Sequence, residues 1–535
     1  MHSVRVSSFM LGLASGLWRY TRQAARYRLL TCVLMGLVPI AIRLVTLPYV
    51  PIPDPVVSDE FSYLLGADTF ASGRLTNPPH PMWLHFETWH VLFQPTYSSR
   101  YPPAQALFLA VGQKFLGHPL FGVWLSFGLL CACLCWMLQG WMPPVYALLG
   151  TLVGMGQIGI FGYWMNSYWG GAIAAAGGCL VLGALPRLER GVNMSAAVFG
   201  SLGVSLIAFS RPLEGAVVLV VAGVLLLIQR RRRGRKMSEL IAPAILIPVL
   251  LIGSLTAGAM ARYNYRVTGH PLLLPYILYE RTYARAPFLL FLPLRQLTYH
   301  NDVMRKYYSD DSVPGFLNKR AHPWHNVWIL QYMVAFYTST LIFFAVLIGA
   351  LFSSGSRVRA ALVVLAALFL TVLVEKSPHT HYIAPGCGLF FAIAMYGIRV
   401  LFLKAQRFRP ALLLLFVFVV FGQGLMGILQ AHHSDPNPRT KLTSELMKMG
   451  GKHLVLVHYD LTQHSGFEYV YNNANIDRSP IVWAWDMGQA KNQELLDYYP
   501  DRKAWLLQPD FKPPNPLTPY SSETEDSAGI RQNFR

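Results

Sequence analysis

Eleven long apolar segments dominate this chain and restrict the folds that are open to it. A helix needs roughly 20 apolar residues to cross the hydrocarbon core of a bilayer, and each segment has about that length. Charged residues are 13 % of the 535 residues, about half of the roughly 25 % found in soluble domains. The pattern predicts an all-α polytopic membrane protein and excludes a disordered chain or one soluble globule. The predicted spans cover residues 29–48, 119–138, 144–162, 169–186, 195–209, 212–229, 239–260, 326–352, 358–374, 382–403 and 409–430.

Basic residues set the orientation of these spans. There are 45 Lys and Arg against 26 Asp and Glu, which gives a net charge of +19. The positive-inside rule makes the basic clusters at 5–28, 230–236, 357–359 and 404–409 cytoplasmic. All these clusters lie on the cytoplasmic side only if segment 103–117 does not cross the membrane. This segment follows Pro102 and contains Lys114, so it is interpreted as an interfacial helix. The positive charge therefore indicates topology and attraction to anionic lipids, and no nucleic-acid partner is expected.

The spans divide the chain into three predicted regions. Residues 1–28 form a basic cytoplasmic N-terminus, and residues 29–430 form the transmembrane domain with long outer loops at 49–118 and 261–325. Residues 431–535 form a small extracytoplasmic α/β domain that ends in a flexible tail from about Lys512. In this last domain the apolar runs predict strands at 453–459, 481–485 and 503–508, and a helix at 492–499.

An acidic pair, Asp59-Glu60, follows directly after the first predicted span. One interpretation is a solvated pair at a helix start, with Ser58 as the N-cap. A second interpretation is that the pair belongs to a functional site. It is favoured because basic residues from distant segments lie at the same membrane depth, where a charge is unfavourable unless it is paired or binds a ligand. Together they predict an outer pocket for an anionic, lipid-linked molecule. These cations are Arg43, Arg211, Lys376, His379 and His381.

Two other clusters deserve less weight. His85, Glu87 and His90 could bind zinc, but the surrounding Trp83, Phe86 and Trp89 are typical of an interfacial aromatic segment. The second outer loop contains Tyr276, Tyr279, Glu280, Arg281, Tyr283 and Arg285, which could gate the site or bind an acceptor.

Several short motifs resemble those of GT-C-type membrane glycosyltransferases, a class that includes protein O-mannosyltransferases, lipid A aminoarabinose transferases and oligosaccharyltransferases. The main one runs from Ser58-Asp59-Glu60 through Tyr63 to Gly73-Arg74-Leu75 in the first outer loop. Others are Tyr101-Pro102-Pro103, Asn166-Ser167-Tyr168-Trp169, Ser210-Arg211-Pro212 and His381-Tyr382, the last standing where the class often has Arg-Tyr. The resemblance covers most of residues 29–430, including the layout of about eleven spans.

The resemblance implies transfer of a sugar from a polyprenyl-phosphate-linked donor to an acceptor on the outer face. Asp59 would be the general base that takes the acceptor proton, with inversion at the anomeric carbon. Glu60 could orient the acceptor or bind a divalent ion with Asp59, and distinct roles are favoured because adjacent side chains on a helix point apart. Cations must then stabilise the phosphate leaving group. Their candidates are Arg43, Arg211, Lys376 and His381, with Tyr382 beside them. Candidates for acceptor or sugar binding are Tyr63, Tyr101, Asn166, Tyr168 and Tyr279.

Two departures from the class bear on cofactors and pH. Some relatives place a metal-binding acid in the turn that here reads 165–171, which has no carboxylate, so no metal ligands are assigned and a divalent metal stays open. His381 in place of Arg predicts pH-sensitive phosphate binding. The alternative function is a transporter or flippase for an anionic lipid-linked solute. The expected location is a bacterial inner membrane, with the site and the C-terminal domain on the periplasmic side.

Overall fold

The computed structural model describes residues 16, 19–353, 355–404, 422, 428–429, 437–460, 468–510 and 517–520. The predicted span 409–430, most of the N-terminus and the end of the tail lie outside or largely outside these residues. The helices of the membrane domain and its loops are α1 (Arg28–Thr46), α2 (Ser58–Ala71), α3 (Ala104–Leu116), α4 (Pro119–Trp141), α5 (Pro144–Ile158), α6 (Ala172–Leu188), α7 (Met194–Ala208), α8 (Pro212–Arg232), α9 (Pro243–Thr268), α10 (Pro275–Tyr283), α11 (Ser312–Ala321), α12 (His325–Tyr337), α13 (Thr340–Phe352), α14 (Ser356–Leu373) and α15 (Cys387–Lys404).

Apolar helices occupy all the other predicted spans, and the chain is an integral multi-pass membrane protein. Within the described residues six helices are long and apolar enough to cross a membrane, and α5, α6 and α7 are shorter. The predicted span 326–352 is bent by 104° between α12 and α13. Gln157 stabilises this break, since its amide donates to Phe336 O at 3.1 Å and accepts from Ser339 N at 3.0 Å. The total of eleven crossings stays a prediction.

Local sequence signals explain where these helices begin and how closely they pack. Proline stands at the first helical position of α4, α5, α8 and α9, where its missing N–H costs nothing. Small residues then let helices approach closely, as is typical in membranes. A Cβ added to Gly128 in α4 would lie 2.6 Å from the carbonyl oxygen of Gly36 in α1, and one on Gly203 in α7 would lie 2.6 Å from that of Gly177 in α6.

The C-terminal region forms a small α/β domain, as predicted. Its strands are β3 (His453–Val457), β4 (Ile481–Trp485), β5 (Lys503–Leu507) and β6 (Leu517–Pro519), and a two-stranded pair, β1 (Val91–Leu92) and β2 (Ser98–Ser99), lies in the first outer loop. The sheet order is β4-β3-β5-β6, with the first three strands parallel and β6 antiparallel. Helices α16 (Pro438–Met449) and α17 (Gln489–Tyr498) complete the domain. The three predicted strands and the helix are confirmed to within a few residues.

This domain is docked on the first outer loop. Phe86 and Trp89 are 1 % and 2 % exposed and belong to the same apolar clusters as residues of β3 and β4. Tyr97 Oη donates to Asn472 O at 2.9 Å, and Ala474 N donates to Asp68 Oδ2 at 2.8 Å. The prediction that this aromatic segment is an interfacial anchor is therefore wrong, because the rings form the core between the loop and the sheet.

Candidate active site

Glu60, the second residue of the acidic pair, pairs with backbone N–H groups at the N-terminus of α2. The N-cap position is Val57, and Glu60 Oε2 accepts from the N–H groups of Val56 and Val57 at 2.8 and 3.2 Å. These are among the N–H groups that a helix start leaves unpaired. The interpretation of Ser58 as the cap is wrong, because Val57 has the extended backbone of the N-cap position and Ser58 is the first residue of α2.

The other oxygen of Glu60 ties α2 to the turn after the third predicted span. Glu60 Oε1 accepts from Tyr168 N at 2.9 Å, and Tyr168 Oη donates to Pro53 O at 3.0 Å. Burial raises the pKa of Glu60, and the three N–H donors oppose that shift. Both oxygens are thus engaged by backbone, so Glu60 and Tyr168 hold the loop together and Asp59 is the carboxylate available for chemistry.

Arg43 and Asn166 are also engaged with one another and with backbone. Arg43 is 0 % exposed; its Nε donates to Asn166 Oδ1 at 2.7 Å and its Nη1 to Val50 O at 3.0 Å. Asn166 Nδ2 donates to Ile160 O and Gly162 O at 2.9 and 3.0 Å. These contacts use the polar groups that a donor phosphate or an acceptor would need. The geometry therefore favours a structural role for this pair.

Asp59 lies among an arginine, a tyrosine and a histidine. Tyr101 Oη donates to Asp59 Oδ1, and His90 Nε2 lies 3.7 Å from Asp59 Oδ2. Burial, helped by Arg100, lowers the pKa of His90 to about 3, so its ring is neutral at pH 7. Burial alone would raise the pKa of Asp59, but the charge of Arg100 and the hydrogen bond from the Tyr101 hydroxyl hold it below its ordinary value. Asp59 is therefore ionised at neutral pH, with Arg100 as its cation.

Arg100 is held in a cage of tyrosine rings. Its guanidinium carbon lies 4.9, 5.1 and 4.8 Å from the ring centres of Tyr101, Tyr276 and Tyr279. Its Nη2 donates to Tyr101 Oη at 3.0 Å, and its Nη1 lies 3.5 Å from Glu280 Oε1. Within the described residues its buried Nε has no hydrogen-bond partner. Arg100 was not among the sequence candidates, and its one signal is its position directly before the Tyr101-Pro102-Pro103 motif.

Tyr63 connects this group to a second one around Arg211. The Tyr63 and Tyr101 rings stack with centres 4.5 Å apart. On its other side Tyr63 lines a cavity together with Gln105, Ser210 and Arg211. The Arg211 guanidinium carbon lies 4.0 Å from the centre of the Tyr382 ring. The structure thus places the predicted residues Asp59, Tyr101, Tyr63, Arg211 and Tyr382 along one continuous surface.

Three further candidates border this surface less directly. His381 is 2 % exposed, its Nδ1 lies 3.4 Å from Tyr163 Oη, and its ring is parallel to that of His379 at 5.6 Å. Lys376 Nζ donates to Ala286 O at 2.9 Å, and burial lowers its pKa. Tyr279 is fully buried, and its hydroxyl accepts from His90 N at 2.7 Å. Tyr279 therefore supports His90 and Arg100, which makes it a structural residue of the site.

The residues around Asp59 do not fit a divalent cation. In the described part of the chain, no three His, Cys, Asp or Glu lie together as metal ligands. Arg100 places a positive charge near Asp59 that lowers its pKa, and both Glu60 oxygens are used by backbone N–H groups. Glu87, one of the three residues weighed as zinc ligands, instead accepts from Tyr283 Oη at 3.0 Å and contacts His300 at 3.2 Å.

Comparisons with models of known protein families and with curated protein sequences give no match. Solved structures do match. AglB, the archaeal oligosaccharyltransferase from Archaeoglobus fulgidus in complex with an inhibitory peptide and a dolichol-phosphate, aligns with a TM-score of 0.50 at 11 % identity, over 90 % of this chain and 69 % of its own. ArnT from Cupriavidus metallidurans bound to undecaprenyl phosphate aligns with a TM-score of 0.50 at 13 % identity, over 89 % of this chain and 93 % of its own.

The apo form of the Archaeoglobus fulgidus oligosaccharyltransferase aligns with a TM-score of 0.49 at 11 % identity over 81 % of this chain. This chain spans 62 % of the length of that structure, which is less than two thirds. AglB and ArnT are both GT-C glycosyltransferases, and at these identities the likeness concerns the fold. The chain therefore has the GT-C fold of membrane glycosyltransferases, as its short motifs predicted.

Proposed function

We propose that this protein is a glycosyltransferase that moves a sugar from a polyprenyl-phosphate-linked donor to an acceptor hydroxyl. The observation that carries the proposal is the environment of Asp59. Its carboxylate is kept ionised by Arg100 and Tyr101, and it lies on the surface that leads through Tyr63 to Arg211. Asp59, at one end of this surface, can remove a proton from an acceptor, and Arg211, at the other end, can bind a phosphate.

In the proposed reaction Asp59 accepts the proton of the acceptor hydroxyl. The acceptor oxygen then bonds to the anomeric carbon with inversion, and the bond from that carbon to the phosphate oxygen breaks. The electron pair of the broken bond stays on the phosphate, whose growing charge is stabilised by Arg211. A positioned base typically contributes about 10²–10⁴-fold to such a step. Preorganised cations stabilise the leaving group without further rearrangement.

The fold supports a lipid-linked donor. The AglB structure contains a dolichol-phosphate and the ArnT structure contains undecaprenyl phosphate. We infer that the corresponding donor here is a polyprenyl-phosphate sugar that enters from the bilayer. Tyr382, Lys376 and His381 are proposed to complete the phosphate site around Arg211. The distribution of basic loops supports a site and a C-terminal domain on the periplasmic side of a bacterial inner membrane.

The test is release of polyprenyl phosphate from radiolabelled polyprenyl-phosphate sugars by the purified protein in lipid, with and without a chelator. We expect release by the wild-type protein that resists the chelator, and transfer that is about 10²–10⁴-fold slower in Asp59→Asn. Asp54→Asn is the matched control. Asp54 lies five residues earlier and accepts from Asn437 N at 3.2 Å, which the amide oxygen of asparagine can still do.

Full turnover by a folded Asp59→Asn variant would show that Asp59 is not the base. No release from any donor by a folded wild-type protein would favour the transporter alternative. A transport assay with the same labelled lipids in vesicles would then decide between the two functions.

A further inference from the structure

A second carboxyl group, Glu468 of the C-terminal domain, reaches the residues that flank Asp59. Glu468 contacts the hydroxyl of Ser58, the residue directly before Asp59. Glu468 Oε2 lies 2.9 Å from Tyr471 Oη, and the Tyr471 ring stacks on Phe61, two residues after Asp59, with centres 4.5 Å apart. The domain therefore contributes an acid to the neighbourhood of the proposed base.

The hydrogen bonds of Tyr471 determine which group carries the proton. Tyr471 Oη lies 3.0 Å from Trp89 O and 2.9 Å from Glu468 Oε2. A hydroxyl has one hydrogen to give, and a backbone carbonyl can only accept. With an ionised Glu468, Tyr471 would have to share its one hydrogen between two acceptors; with a neutral Glu468, Tyr471 donates to Trp89 and the acid donates to Tyr471, so that each contact is a full hydrogen bond. Trp89 precedes His90, which contacts Asp59.

We propose that Glu468 is a positioning residue for Asp59. As a neutral acid it donates a hydrogen bond to Tyr471, which in turn donates to Trp89. These two hydrogen bonds hold the Trp89–His90 segment against Asp59 without adding a negative charge beside it. The inference rests on the proposed function, which it deepens by giving the C-terminal domain a part in the reaction.

The surroundings of Glu468 support the neutral form. Burial raises the pKa of Glu468 to about 8, with Asp59 adding to the rise while Tyr471 and Ser58 oppose it. Within the described residues, the titratable groups that interact with it are Asp59 from α2, Tyr307 from the second outer loop, and Tyr459 and Tyr471 from its own domain. Arg439 from α16 is a neighbouring cation, but it donates to the carbonyl of Tyr471 at 2.9 Å and packs on the Phe61 ring, and its charge is not among those that act on Glu468. Its carboxyl therefore remains protonated at neutral pH.

The test compares pH profiles of sugar transfer for the wild type, Glu468→Gln and Glu468→Ala. Above about pH 8 we expect wild-type kcat/KM to fall, by about tenfold at pH 9, because a group of that pKa is then about one-tenth protonated. Glu468→Gln should remain active at pH 7 and lose this alkaline fall, since its amide N–H donates to Tyr471 at every pH. Glu468→Ala should be impaired at every pH.

Two further measurements keep the inference falsifiable. Glu494→Gln makes the same chemical change at an exposed position of the same domain and should match the wild type. Infrared difference spectra against the wild type at pH 7 should show the loss of a protonated-carboxyl band in Glu468→Gln and no such loss in Glu494→Gln, whether or not the protein is active. An unchanged alkaline fall in Glu468→Gln, or an unchanged band, would overturn the inference. If the proposed function is wrong, the wild-type protein releases no polyprenyl phosphate. The infrared spectra would still show whether Glu468 is protonated.

Discussion

Arg43 and Asn166, 123 residues apart in the chain, bind one another, with Arg43 Nε donating to Asn166 Oδ1 at 2.7 Å. From the sequence they are candidates for two different ligands, a donor phosphate and an acceptor. In the folded chain each supplies what the other needs, and Arg43 also holds the carbonyls of Val50 and Pro51. The contact fixes the first outer loop, which carries Asp59, against the turn that carries Tyr168.

Replacing Arg43 is therefore expected to affect stability more than donor binding. Arg43→Met leaves Asn166 and two carbonyls without their donor in a buried place. Hydrogen bonds to a charged group contribute about 1.5–3 kcal/mol each and Arg43 makes three of them, so we expect a loss of more than about 4 kcal/mol in the free energy of unfolding. The measurement is unfolding in detergent, together with the KM for the donor. Arg478→Met, at an exposed position, is the control. A stable Arg43→Met variant with a raised donor KM would restore Arg43 as a phosphate ligand.

The adjacent acids Asp59 and Glu60 should give opposite phenotypes. Asp59→Asn should fold normally and lose about 10²–10⁴-fold in kcat, the usual contribution of a general base. Glu60→Gln should lower the free energy of unfolding by about 1–3 kcal/mol, because one of its two oxygens becomes an NH₂ group facing a backbone donor. The folded fraction of Glu60→Gln should keep its kcat. Thermal unfolding and single-turnover rates on both variants separate the two roles. A folded, stable and inactive Glu60→Gln would contradict this division.

The sequence predicts elements whose signal is local. The strands at 453–457 and 481–485 are continuous apolar runs because all their residues are buried in a covered sheet. The bend between α12 and α13 has no such signal, since it depends on Gln157 from a distant helix. A tertiary partner decides the conformation there, so the apolar pattern of 326–352 predicts one span.

Some residues of the candidate site can likewise be predicted from local sequence, whereas others depend on tertiary contacts. Asp59 and Tyr101 stand in motifs that can be recognised in the sequence, and the structure brings them into contact. Arg100 and Glu468 cannot be found by motif, because their importance comes from the tyrosine cage and from the docking of the C-terminal domain. Their neighbours in space are distant in the chain. The same limitation made Arg43 and Asn166 look available for ligands.

Arg100 should control the pH at which Asp59 loses its charge. The base works only when ionised, and Arg100 is among the groups that lower the pKa of Asp59. Arg100→Gln removes that cation, so the pKa of Asp59 should rise and the acid-side loss of kcat/KM should move to higher pH. The measurement is the pH profile of transfer, with exposed Arg281→Gln as the control. An acid limb that does not move in Arg100→Gln would show that the Tyr101 hydroxyl keeps Asp59 ionised without Arg100.

Glu375 should make the stability of the protein depend on pH. It follows α14 and is 0 % exposed, and within the described residues neither of its carboxyl oxygens has a hydrogen-bond partner. Burial raises the pKa of Glu375 to about 9; Glu214 adds to the rise and Arg211 opposes it. In the unfolded chain a glutamate has a pKa of about 4.3. Between these values the folded state binds more protons than the unfolded state, so the free energy of unfolding falls as the pH rises.

We therefore expect the unfolding temperature of the wild type in detergent to fall between about pH 5 and about pH 9. Glu375→Gln removes the titrating group while keeping its size, so its unfolding temperature should fall less over the same range. Glu445→Gln, at an exposed position, should follow the wild type. Glu468 also lowers the unfolding temperature as the pH rises. The quantity to compare is therefore the difference in unfolding temperature between the wild type and Glu375→Gln at each pH. Parallel curves for these two proteins would mean that Glu375 is ionised in the folded state. Arg211, whose Nη1 lies 3.5 Å from Glu214 Oε1, would then face two carboxylates instead of one.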